Sequence, residues 1–483
     1  MLFTQSSYFP FLLAVFFSYW LIAARASWPT SGRTAYLCLV SYGFYAVSGW
    51  LGVTLLLTVS SLDYVITQRM YASDHARTRK RLLWLSLSAD LGVLCLFKYA
   101  NFFAQTLNSF GLPIQPTPLR WLAPLGLSFF LFQSIALVVD VYHRAAEPAR
   151  SWLEHLTFIA FFPTLIAGPI LRASQFLPQL REAKTLDAES ANKNGSRALW
   201  LILLGLIKKI AIADYLRTNL VERVFDFPER YSALEVLAGV YGYALQIYAD
   251  FSGYSDIAIG SALLLGFTLP ANFNAPYRAT DLPDFWRRWH ISLSTWLRDY
   301  VFFSIAGVRA RSTALLYAAS FVTMLIGGLW HGAAWTFIAW GALHGFGLIA
   351  VRWWQTFHSK HQTAYWLTFR HTRGATVLST LITFHFVCLT WIFFRAETFA
   401  QAATVLRQLS QCTVDLSNLN APLICLIVIG LLTHWLPPRI EELTLQGFTR
   451  LPAPAQALLL FGISAGLYAV ASSDLAPFIY SRF

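Results

Sequence analysis

Residues 243–267 read "YALQIYADFSGYSDIAIGSALLLGF". Most of this stretch is apolar enough for hydrocarbon, yet it carries Gln246, Asp250, Ser252, Ser255 and Asp256. An acidic side chain in the middle of a bilayer costs roughly 3 kcal/mol on insertion scales, so Asp250 and Asp256 require partners or a watery cavity. The alternative is structural: the same residues cap and hydrogen-bond helices broken around Gly253. Which medium surrounds the stretch is decided by the rest of the chain.

That medium is a membrane. Across 483 residues, 56% are hydrophobic, 16% aromatic and only 12% charged, and the mean hydropathy is +0.51, which excludes an ordinary soluble globular protein. Runs such as "FPFLLAVFFSYWLIAA" (9–24), "LGVTLLLTVSSLDYVIT" (51–67), "LWLSLSADLGVLCLF" (83–97) and "LLLFGISAGLYAVA" (458–471) approach the length needed to cross a bilayer. Roughly ten to twelve such segments are expected, giving an all-α polytopic integral membrane protein with one integral domain over 1–483. The first run has neither a basic leader nor a small-residue cleavage site and reads as a span, not a signal peptide. Cys38, Cys95, Cys388, Cys412 and Cys425 show no CxxC spacing, so neither a disulfide framework nor a zinc site is expected.

The net charge of +12 lies largely in short loops between apolar runs, most densely in "QRMYASDHARTRKR" (68–81). That distribution is the positive-inside signal of a membrane protein and excludes a nucleic-acid groove. With the 68–81 loop in the cytoplasm, Met1 falls outside and Arg25 and Arg33 fall in an inside loop. Arg439 and Arg450 then precede the last span, and the tail after Asp474 lies outside. Between 143 and 200 and between 271 and 311, Pro, Arg, Asp and Asn interrupt the hydropathy. Interrupted backbone at membrane depth is tolerated only inside protein or along a cavity, so a site is expected there.

Two more clusters carry chemistry. "NFNAPYRATDLPDFWRRWHISLSTWLRDYVF" (272–302) places Arg287, Arg288, His290, Arg298 and Asp299 among three tryptophans. It reads as an amphipathic segment along or dipping into the cytoplasmic interface, and its arginine pair beside a histidine suits an anionic, phosphate-bearing donor. Snorkelling arginines on a surface helix are the plainer reading. "MLIGGLWHGAAWTFIAWGALHG" (324–345) sets His331 and His344 in apolar sequence, with Gly327, Gly328 and Gly332 bracketing Trp330 and His331. These glycines remove bulk where another chain or a substrate approaches. A buried neutral histidine is either a satisfied core residue or a general base, the latter worth roughly 10² to 10⁴ in rate. No HxxxH or HExxH spacing occurs here, so no metal is expected; His358, His361 and His371 read as solvated residues of a basic loop.

Taken in order, "PLGLSFFLFQSIALVVDVY", "FPTLIAGPILR", "QIYADFSGYSDIAIG", "NFNAPY", "DFWRRWHISLSTWLRDYVF", "GGLWHGAAWTFIAWGALHG" and "WIFFRAE" (391–397) resemble the membrane-bound O-acyltransferases (MBOAT family). The resemblance is to the bacterial branch that holds alginate O-acetylation and teichoic-acid D-alanyl transfer proteins. It implies the MBOAT fold, with re-entrant or interfacial helices around a central funnel or tunnel. There a histidine meets donor and acceptor from opposite sides of the membrane. The family's essential histidine falls on His331 and its second histidine on His290. Gln246, Asp250, Asp256, Arg287, Arg288 and Trp330 follow as donor-binding or supporting residues. The resemblance further implies acetyl-CoA as a cytoplasmic donor with no bound cofactor, a polysaccharide or cell-wall polymer as acceptor, and an extracytoplasmic esterase-like acetyltransferase as partner. No GxSxG in a strand-turn-helix context is expected to make that last transfer within this chain.

The chain closes on "FIYSRF" (478–483), similar to a C-terminal motif of this branch in which the tyrosine is a transient acyl carrier, here Tyr480. A phenol (pKa ~10) is closer to a thiol (~8.5) than a sugar hydroxyl is, so its ester keeps much of a thioester's reactivity. An aromatic interfacial anchor is the structural alternative. D-alanyl transfer from a carrier protein, a transporter and an export scaffold remain as competing functions.

Overall fold

The computed structural model describes residues 3, 5, 7–23, 29–112, 124–182, 188–308, 312–361 and 372–470. All regular structure among them is helical. Four helices are long and apolar enough to cross a membrane: Trp50–Ala72, Ala76–Ser109, Thr313–His331 and Arg373–Arg395. The pair Ala421–Trp435 and Pro438–Arg450, bent by 99°, makes a possible fifth. Tyr8–Ala23, Leu127–Tyr142 and Ala453–Ala469 are apolar but shorter. The count falls below the ten to twelve apolar segments of the sequence because several runs fold into short, bent or polar-interrupted helices. The chain is an all-α, multi-pass membrane protein.

The opening stretch resolves differently from the broken-helix alternative. Ala233–Leu264 is one uninterrupted helix of 32 residues, started by a capping box in which Ser232 Oγ accepts from Glu235 N–H and Glu235 Oε2 accepts from Ser232 N–H. Gly253 does not break it. A Cβ there would stand 2.7 Å from Gly205 O, and one at Gly205 would stand 2.6 Å from Gly253 O. The glycines let this helix press against the helix Ala188–Leu206 at backbone contact, the small-residue packing that membrane helices use where apolar attraction between them is lost.

The segment 272–302 packs Tyr277, Trp289, His290 and Leu293 into the protein; its short helices Leu282–Arg288 and Ile291–Trp296 are continued by a π-helical stretch Leu297–Phe302. The buried apolar residues form two cores. One gathers Phe129, Phe132, Phe251, Trp296 and Trp330; the other gathers Trp289, Trp340, Trp391 and Phe394. Phe273 packs against both.

Candidate active site

The two predicted histidines meet at the seam between these cores. His331 is the last residue of the helix Thr313–His331, followed by Gly332 in extended conformation. Its ring lies 4.9 Å from Trp330, 5.0 Å from Trp340 and 5.0 Å from Phe394, centroid to centroid. His290 lies 5.9 Å from the other side of the path, at Trp330, and His344 lies 4.8 Å from Trp340. The rings thus alternate: His290, Trp330, His331, Trp340, His344. All three histidines are buried.

The end of the helix that carries His331 is fixed by residues the sequence reading missed. The last four carbonyls of a helix have no partner within it, and here each finds one. Gly332 N–H donates to Gly328 O at 3.4 Å. Tyr99 Oη donates to Leu329 O at 2.8 Å, and Lys98 Nζ donates to Trp330 O and, at 3.4 Å, to His331 O. Lys98 and Tyr99 come from a π-helical turn, Cys95–Tyr99, inside the helix Ala76–Ser109. A cation at a helix C-terminus also meets the negative end of the helix dipole. The available signal was a lysine inside the apolar run "LGVLCLFKYANFFA".

Two of the glycines around His331, Gly328 and Gly332, are taken up by helix packing. A Cβ at Gly328 would stand 2.3 Å from Phe337 O, one at Gly332 2.2 Å from the Phe337 ring and one at Gly341 2.4 Å from Met324 O. They bring the helix Trp335–His361 against Thr313–His331, which places His344 two aromatic steps from His331.

The aspartates of the opening stretch find lysines. Asp250 pairs with Lys209 at 2.6 Å, Lys209 also reaches Asp214 at 2.9 Å, and Asp256 pairs with Lys208 at 2.6 Å. Both lysines lie on the π-helical segment Ile207–Asp214, and "LLGLIKKIAIADYL" announces them as intramembrane charges. Gln246 is buried one turn before Asp250 on the same helix. Phe251 and Ser255, four residues apart and so on one face, turn instead to the histidine: the Phe251 ring is 4.5 Å from His290.

Arg287 and Arg288 both pair with Asp284, at 3.4 and 2.9 Å, and the Arg287 side chain is 67% exposed. Arg298 and Arg352 instead line a cavity of about 510 Å³, together with Trp286, Thr323, Met324 and Gln355. Met324 is seven residues before His331 on one helix, about 10 Å along its axis. Among the described residues no group of three His, Cys, Asp or Glu is arranged to hold a metal. His358 lies on the helix Trp335–His361 against the Trp354 ring, not in a loop. The side chain of His361, all of His371, and Tyr480 with its tail lie outside the described residues.

His290 and His331 are thus buried among aromatic rings, and the cavity of Arg298 and Arg352 is reached through Met324 on the His331 helix. The sequence profile of the membrane-bound O-acyltransferase family matches residues 77–394, and the chain belongs to that family. It is 38% identical to the probable alginate O-acetylase AlgI of Pseudomonas aeruginosa over 406 residues, 80% of this chain and 72% of that protein. It is 34% identical to the peptidoglycan O-acetyltransferase of Helicobacter pylori over 423 residues, 83% and 77% of the two chains. With the teichoic acid D-alanyltransferase of Bacillus subtilis it shares 30% over 281 residues, 57% and 69%. The chain is a membrane-bound O-acyltransferase of the AlgI/DltB-like branch.

Proposed function

We propose that this enzyme takes an acetyl group from a cytoplasmic thioester donor, acetyl-CoA, and passes it across the inner membrane for O-acetylation of an extracytoplasmic polysaccharide or cell-wall polymer. The observation that carries this reading is His331, buried at a helix end whose four carbonyls are all satisfied, about 10 Å along its helix from a cavity with two arginines. His331 takes the proton of the acceptor hydroxyl as its oxygen bonds to the acyl carbon. The carbon–sulfur bond then breaks and the leaving thiolate recovers the proton. Arg298 and Arg352 suit the phosphates of the donor. Acetyl is favoured over D-alanyl because the acetylating relatives are 34–41% identical and the D-alanyl relatives 27–30%.

The acceptor at the outer face is Tyr480, whose acyl ester then serves an esterase-like acetyltransferase partner; both termini lie outside. Membranes with labelled acetyl-CoA and candidate partners test the scheme. Wild-type protein transfers label, and His331→Ala lowers transfer by roughly 10² to 10⁴ with its level in the membrane unchanged. Full transfer by that variant overturns the base assignment, and transfer only from a D-alanyl carrier protein overturns the choice of acyl group. Tyr480→Phe loses transfer to the external acceptor; unchanged transfer leaves the tail as an anchor.

A further inference from the structure

The hydrogen bonds around His290 determine which of its nitrogens carries the proton. Asn272, from "NFNAPY", is buried beside it. Asn272 Oδ1 accepts the backbone N–H of Ser292 at 3.1 Å. A backbone N–H can only donate, so the side-chain oxygen, and not the amide nitrogen, must be the atom facing Ser292. The nitrogen, Nδ2, then points the other way and donates to Ser255 Oγ at 3.1 Å. The amide orientation is therefore fixed by the main chain. The same Oδ1 lies 3.2 Å from His290 Nδ1 and accepts Ser292 Oγ–H at 2.9 Å. A carbonyl oxygen has no proton to give, so His290 Nδ1 must carry one. In the neutral ring, Nε2 is left as a lone pair. It is buried with no hydrogen-bonding partner among the described residues, where the rings nearest the imidazole are Phe251, Trp330, Phe129 and Phe273. A buried acceptor left open costs roughly 1–3 kcal/mol, and a chain that keeps one at a catalytic seam has a use for it.

We infer that Asn272 is a positioning residue that holds His290 in the Nδ1–H tautomer, so that His290 presents Nε2 to the reaction as a hydrogen-bond acceptor. This rests on the acyl-transfer reading of the site and gives His290 a part within it. A group that stabilises the oxyanion of a tetrahedral intermediate must donate a hydrogen bond to it. His290, with its proton committed to Asn272, has none to offer at Nε2. It belongs on the acceptor's side, receiving a hydrogen bond from a second donor beside the reacting hydroxyl, whose one proton goes to His331. His344 supplies an internal contrast. Thr390 Oγ1 gives its proton to Val387 O at 2.8 Å, so it accepts from His344 Nε2 at 2.9 Å. His344 is therefore the opposite tautomer. The two histidines at the ends of the ring stack are anchored through different nitrogens.

Two measurements on the full-length protein in nanodiscs test this. In the ¹⁵N-histidine-labelled protein, the resonances that disappear in His290→Ala belong to His290 and report the Nδ1–H tautomer; Asn272→Leu converts them to the Nε2–H tautomer or a mixture. An Nε2–H signal in the wild type overturns the proposal whatever the activity. In acetyl transfer, Asn272→Leu lowers kcat by up to about 10⁴-fold, the loss that a wrong histidine tautomer causes in a serine protease, with little change in the KM for donor. Asn272→Asp, which keeps an acceptor oxygen, restores most of the loss. In a His290→Ala background Asn272→Leu costs nothing further. Equal losses in both backgrounds, or failure of Asp to rescue, make Asn272 a packing residue and overturn the inference. A wild-type protein that transfers no acyl group sinks the functional reading instead, and leaves the tautomer result standing.

Discussion

Two regions bury polar side chains at membrane depth in opposite ways. Where the helix Ala233–Leu264 meets Ile207–Asp214, every carboxylate has an ammonium within 2.9 Å: Asp250 and Asp214 on Lys209, Asp256 on Lys208. In the ring stack, which the same long helix touches through Phe251, His290 Nε2 and His344 Nδ1 have no hydrogen-bonding partner among the described residues. Satisfied charges hold a structure together and leave little for a substrate to bind. Open nitrogens among aromatic rings are costly to the fold and available to chemistry. The sequence cluster with its two aspartates is mainly ion-paired, and the sparser one keeps the open nitrogens.

The comparison breaks most visibly at Lys209, whose side chain is 2% exposed and faces an Asp250 that is 3% exposed. Lys209→Met strands two buried carboxylates and destabilises the protein by about 3–5 kcal/mol, seen as a large fall in thermal unfolding temperature in detergent. A melting curve like the wild type's would mean that the ion pairs are not structural. At the site, the effect runs the other way: His331→Ala leaves that curve in place and removes activity.

A smaller effect is expected at the helix end. Tyr99→Phe removes the hydrogen bond to Leu329 O at about 1 kcal/mol, enough to lower transfer roughly fivefold if that energy serves to position His331. An unchanged rate with an unchanged melting temperature would show that Lys98 alone fixes this end. The smallest concerns Arg287. Its pair with Asp284 is exposed, and Arg287→Ala costs under about 0.5 kcal/mol and leaves the donor KM unchanged; a raised KM would return Arg287 to the donor site.

The sequence makes the membrane, the helical class and the two histidine motifs legible, because hydropathy and motif order are local. What it hides is pairing. Asp250 and Asp256 announce a need for partners, but nothing near them in sequence names Lys209 and Lys208, more than forty residues upstream. Gly253 reads as a helix breaker until Gly205 is found against it, since a glycine that breaks a helix and one that lets two helices touch look the same in one dimension. Arg287 and Arg288 drew attention by standing next to His290, while the cavity takes its arginines from Arg298 and Arg352 on separate elements. The lysine of the helix end was overlooked because it stands alone in an apolar run.

The bond from Lys98 to the carbonyl of Trp330 spans 232 positions in the chain. During synthesis, the segment bearing Lys98 and Tyr99 enters the membrane long before the helix whose end they hold. Until that helix arrives, no histidine is aimed at anything. The helix end that carries His331 is thus complete only in the finished insertion, and a stalled or truncated nascent chain lacks it.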